Sequence, residues 1–180
     1  MYVALLRGIN VGGKAKLPMQ ELAAIFAAAG ATDVRTYIQS GNVMFEAGSE
    51  ADAGACVGRV TAEIARVYGY PGRIVLRSGS EMRACYAGSP FAGATDSALH
   101  VYFLADQPAE AAVQGLDPLR SAPDEFVVRG REVYLYLPKG MGRTKLTNVY
   151  FDTKLGTVST ARNWNTVRKL VEAVDGSVEQ

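Results

Sequence analysis

Histidine is almost missing from this 180-residue chain: His100 is alone, and cysteine occurs only as Cys56 and Cys85. A structural zinc ion needs about four such ligands, so no metal site is predicted. The cysteines lie in separate predicted helices without C-x-x-C spacing, which predicts reduced, buried thiols in a cytoplasmic protein. Long apolar runs are also lacking, so no segment is predicted to span a bilayer and no membrane partner is expected. The opening MYVALLRGIN has neither a leading basic region nor a small-residue cleavage site, and reads as a strand rather than a leader. An excess of either charge is missing too: 19 Lys and Arg face 18 Asp and Glu. Attraction to nucleic acid or membrane would have to come from a local patch. Ser40 and Ser159 lack a G-x-S-x-G setting, and no pair of acids stands out for acid–base work. His100 alternates with Leu99 and Val101 and reads as structural. No cofactor is predicted.

What is present is a globular composition, 48% hydrophobic, organised around the stretch Arg7 to Met19. This RGINVGGKAKLPM segment has three glycines, three cations and no acid, between an apolar strand and a helix starting near Pro18. Free backbone N–H groups and positive charge suit an anion. Gly8 to Ala15 fits G-x-x-x-x-G-K, but Ala15 stands where a nucleotide-binding P-loop needs a hydroxyl for magnesium. The expectation is therefore simpler capture of a phosphate or carboxylate by Arg7, Asn10 and Lys14. The plainer account is a turn with solvated lysines.

Val3–Leu6, Val34–Ile38, Val43–Phe45 and Ile74–Leu76 read as strands, and two helical faces intervene. These faces are Met19, Leu22, Phe26, Ala29 and then Val57, Val60, Ile64, Val67. The order is β-α-β-β-α-β, the ferredoxin-like unit. QSGN, Gln39 to Asn42, is the hairpin turn, with Gly and Asn suited to positive φ. Its polar groups, Gln39, Ser40 and Asn42, could also read a ligand's edge. Ser78 to Glu81 has capping-box spacing and opens a linking helix. Residues 79–97 form the predicted linker between halves at 1–78 and 98–180.

The order then restarts. Leu99–Leu104 is a strand, Pro108–Leu116 a helix, and Glu125–Val128 with Glu132–Leu137 a hairpin. A helix runs from Leu146 to Gly156, Thr157–Ser159 is a strand, and Trp164, Val167, Val171 and Val174 line a closing helix. The fold class is thus α+β: two tandem ferredoxin-like halves with antiparallel sheets and an extra C-terminal helix. Topology repeats, but residues do not. Several strands are apolar on both sides, so their open faces need a cover, which the halves or a homo-oligomer can provide. PKGMGRTK, Pro138 to Lys145, is a second basic glycine-rich loop, with Thr144 as the expected cap of the next helix. Arg143 and Lys145 there are candidate anion ligands. So are Arg162 and Asn163 at the last strand-to-helix junction, while Trp164 reads as core.

ALLRGINVGGK, RTYIQSGNVMFE and TARNWNTVRKL resemble an uncharacterised bacterial family, domain of unknown function 1697. SPF at Ser89–Phe91 and GRTKLTN at Gly142–Asn148 are similar to it as well. The resemblance implies a cytosolic α+β protein with a duplicated ferredoxin-like arrangement, and carries no activity or catalytic residue. The functional expectation is binding of a small phosphorylated or carboxylated ligand by the basic loops. Nucleic-acid binding by those loops and a protein-interaction module are the alternatives. RNA recognition on a sheet face is disfavoured, since Tyr2 and Phe45 are the only aromatics on the matching strands.

Overall fold

The computed structural model describes residues 1–10 and 16–176. The chain divides into two compact units, Met1–Arg83 with Leu170–Gln180, and Ala84–Lys169. In the first, β1 (Tyr2–Leu6), α1 (Met19–Ala28), β2 (Thr32–Tyr37), β3 (Asn42–Glu46), α2 (Glu50–Tyr68) and β4 (Ile74–Ser78) follow in order, and α3 (Gly79–Ala87) begins directly after β4. The second carries β5 (Leu99–Leu104), α4 (Glu110–Gln114), β6 (Glu125–Arg129), β7 (Glu132–Tyr136), α5 (Asn148–Leu155) and β8 (Ser159–Asn163). α6 (Trp164–Val174) closes the series. This is the α+β fold, with β-α-β-β-α-β written twice.

Both sheets are antiparallel, in the orders β2-β3-β1-β4 and β6-β7-β5-β8. Their registers also agree. Val3 lies opposite Met44 and Arg77, and Val101 lies opposite Tyr134 and Arg162. The repetition that the residues hide is therefore carried by strand pairing.

Pleating sorts each strand between two faces. In the first sheet Ala4, Leu6, Val43 and Phe45 meet Leu22 and Phe26 of α1 and Ala53, Cys56, Val60 and Ile64 of α2. Val3, Leu5, Met44 and Val75, on the opposite face, are buried as well. Each such aliphatic or aromatic side chain contributes about 1.5–3 kcal/mol when fully buried. In the second sheet Tyr102, Leu104, Val133 and Leu135 pack on Tyr150, Phe151 and Leu155 of α5. On its other face Trp164 lies 6.4 Å from Tyr134 and stacks on Tyr86 at 5.2 Å.

Some local expectations shift. The buried stripe of α2 is rotated, with Ala53 and Cys56 completing it and Val67 left 50% exposed. The predicted helix at Pro108–Leu116 shrinks to α4. The helix expected from Leu146 begins at Asn148, and its cap is Thr147, whose Oγ1 accepts from Tyr150 N–H at 3.2 Å. Thr144 instead accepts from the N–H of Leu146. The strand placed at Thr157–Ser159 is Ser159–Asn163, which pairs with β5 from Ser159 opposite Leu104 to Asn163 opposite His100. The capping box is present: Glu81 N–H donates to Ser78 Oγ, and Ser78 N–H to Glu81 Oε2.

Candidate functional site

In the first unit, β1 ends at Leu6 and the chain turns through left-handed conformations at Gly8 and Asn10, with φ of 70° and 55°. Asparagine tolerates that region better than most residues. The Asn10 amide then clasps the loop. Its Nδ2 donates to Leu17 O at 2.9 Å and to Gln39 O at 3.1 Å, and its Oδ1 accepts from Leu17 N–H at 2.9 Å. Asn10 thus ties both ends of the loop to the β2–β3 hairpin tip. Lys14 lies outside the described residues. Arg7 is half-buried, and its backbone N–H donates to Arg73 O.

A cleft of about 620 Å³ opens beside this clasp. Asn10, Lys16, Leu17, Pro18, Met19, Gln20 and Gln39 line it. Its walls are amide and apolar, with Lys16 the one cation among the described lining residues.

The hairpin tip differs from expectation. Asn42 is not in the turn but opens β3, fully buried, and its Nδ2 donates to Tyr37 O and Ser40 Oγ. The positive-φ residues are Ile38 and Gly41. Asn42 is therefore occupied in shaping its own turn, and Gln39 is the residue of this tip that reaches the cleft.

In the second unit the loop after β7 is fixed at both ends. Leu137 and Leu146 are each 1% exposed, and Tyr102 Oη donates to Leu146 O at 3.0 Å. Gly140, at φ 78°, turns the chain, and Met141–Arg143 form a single 3₁₀ turn. This loop faces the 117–124 turn. Ser121 joins them: its Oγ donates to Asp124 Oδ2 at 2.7 Å and accepts from Lys145 N–H at 2.9 Å. Arg120 adds a second tie, from Nε to Lys145 O at 3.1 Å, while its guanidinium lies 4.1 Å from the Tyr150 ring centre. Tyr150 Oη in turn accepts from Asp117 N–H.

These ties shape a recess of about 430 Å³ whose lining includes Arg120, Ser121, Asp124, Lys139, Arg143 and Lys145. Four cations meet one carboxylate, and that carboxylate, on buried Asp124, already accepts from Ser121. Among the described residues none of the four cations forms an ion pair. The Arg120 fork is oriented by its stacking and its Nε bond, an arrangement suited to bidentate contact with phosphate or carboxylate.

The structure thus brings Arg143 and Lys145 together and adds Arg120, Lys139 and Ser121, which sequence reasoning missed. Arg162 and Asn163 lie at the strand-to-helix junction, where β8 passes directly into α6. Arg162 lies within β8, 7% exposed, with Nη1 donating to Thr160 Oγ1 and Ala161 O. Burial lowers its pKa to about 10. Asn163 caps α6, its Oδ1 accepting from Thr166 N–H at 2.8 Å.

A family model described as a protein of unknown function, DUF1697, matches residues 1–134. No curated protein matches the chain. Among solved structures, that of a conserved bacterial protein from Streptococcus pneumoniae is similar in fold. The two are 24% identical, with a TM-score of 0.69, over 96% of this chain and 97% of that one.

Proposed function

The chain belongs to the DUF1697 family, and from that premise we propose that it binds a small phosphorylated or carboxylated ligand, with the recess of the second unit as the receiving site. The observation that carries this reading is the gathering of Arg120, Lys139, Arg143 and Lys145 around one recess without ion-pair partners among the described residues. Exposed cations repel one another, so a recess that gathers four of them, with the Arg120 and Ser121 hydrogen bonds joining its two loops, is preorganised for a negative guest. Arg120 supplies the oriented fork, Arg143, Lys145 and Lys139 supply charge, and Ser121 sets the separation of the two loops. Affinity of about 4–8 kcal/mol, millimolar to micromolar, is the range for a few such contacts. The cleft beside Asn10 is assigned a secondary role: Lys16 and Gln39 would hold a ligand with both apolar and anionic parts.

The test is a thermal-shift screen at low ionic strength with inorganic phosphate, sugar phosphates, carboxylates and oligonucleotides. Stabilisation by small anions that disappears in Arg120→Ala supports the reading. No stabilisation by any anion overturns it, and a concentration-dependent melting temperature would then favour an interaction module.

A further inference from the structure

The recess does not end at Arg120. A second hollow, of about 290 Å³, is lined by Arg120, Thr147, Val149, Tyr150, Thr153 and Lys154. Arg120 therefore borders both hollows. Its guanidinium is held by the Tyr150 ring and by Lys145 O. Lys154 is exposed near the end of α5 and forms no ion pair among the described residues. Each hollow also borders an exposed aliphatic side chain, Leu119 at 76% and Val149 at 69%. Cation, aliphatic surface and hydroxyl thus recur in two hollows that share one arginine.

We infer that this groove takes a ligand bearing two separated phosphate groups, one on each side of Arg120, joined by a body that lies along Leu119 and Val149. The inference rests on the anion-binding reading and names its ligand class. Five cations exceed what one phosphate neutralises. A single phosphate contacts one hollow, while a second beyond Arg120 engages Lys154 and the hydroxyls of Thr147 and Thr153. Two sources share this chemistry, a small bisphosphate and successive phosphates of a single-stranded nucleic acid.

The experiment is calorimetric titration of the full chain at low ionic strength with three probes: inorganic phosphate, a hexose bisphosphate and a thymidine trinucleotide carrying its terminal phosphate. Wild type is compared with Arg120→Ala and Lys154→Ala, and urea unfolding checks that each variant is folded. Lys154→Ala should leave phosphate binding unchanged and weaken a two-phosphate probe about fivefold to tenfold, the size of one charge contact. Weakening of the bisphosphate identifies a small-molecule source, and weakening of the trinucleotide alone identifies a strand. If phosphate binds and Arg120→Ala removes it, yet Lys154→Ala weakens neither longer probe, the two-phosphate inference fails while the anion site stands. Phosphate binding that is absent, or indifferent to Arg120→Ala, removes both.

Discussion

Arg77 and Arg162 occupy the same position in two sheets of different sequence. Each lies opposite a valine of the strand that opens its unit, Val3 or Val101. Each bends its Nη1 onto the carbonyl of the preceding residue, at 2.8 Å to Leu76 O and 2.6 Å to Ala161 O. Each is followed by the residue that caps the next helix, Ser78 or Asn163. An arginine buried in this way is a structural part of the repeat, which moves Arg162 away from ligand chemistry.

Arg162→Ala should therefore destabilise the protein by about 2–3 kcal/mol, through lost hydrogen bonds and packing. Because burial opposes the charge, Arg162→Met, which keeps most of the volume, should cost less than alanine. Urea midpoints of the two variants decide the matter. Equal losses would mean that the hydrogen bonds, not the filled volume, carry the role.

Gly41 is a second point where geometry permits one residue. Its φ is 72°, and an added Cβ would stand 2.7 Å from Leu6 Cβ and 2.8 Å from Ile9 Cδ1. Gly41→Ala should lower stability by about 2–4 kcal/mol, since strain and overpacking add. A melting temperature within a degree of wild type would show that Leu6 and Ile9 yield easily.

Much of this was legible locally. The Ser78–Glu81 capping box is a four-residue pattern, and the strand order follows from apolar runs and turns. What stayed hidden depends on partners distant in sequence. Arg120 joins the basic loop by bonding Lys145 O, 25 positions away, and nothing around Arg120 announces that. STARN carries no apolar alternation, so β8 emerges only through its pairing with β5. Asn42 looked like a turn residue because asparagine so often is one; here its amide reaches back to the turn from inside the sheet.

Asn10 offers a test of the first-unit clasp. Asn10→Ala removes three hydrogen bonds and leaves a left-handed backbone position without its tolerant residue. The expected cost is about 1–3 kcal/mol, with faster proteolysis near the 10–17 loop. Asn10→Gly relieves the backbone but not the bonds, so it should recover only part of the loss. Full recovery in glycine would show that the amide contributes nothing.

Alkaline stability should report on Tyr134. Its phenol, buried and donating to Cys85 O at 3.0 Å, is held far above the usual value of 10, by burial first and by Cys85 next. The group's folded pKa is raised, so its contribution is complete below about pH 10 and is lost as pH climbs toward the folded value. Tyr134→Phe should cost about 1 kcal/mol near neutrality and flatten the decline above pH 10. An unchanged alkaline slope in the phenylalanine variant would assign that decline to other groups.

The anion site itself is tested most directly by following backbone amide resonances during a phosphate titration at low salt. The amides of Arg120, Ser121, Gly140, Arg143 and Lys145 should move together along one saturating curve, and in Arg120→Ala they should stay still. Shifts that never saturate, or that gather on surfaces away from these two loops, would contradict the assignment.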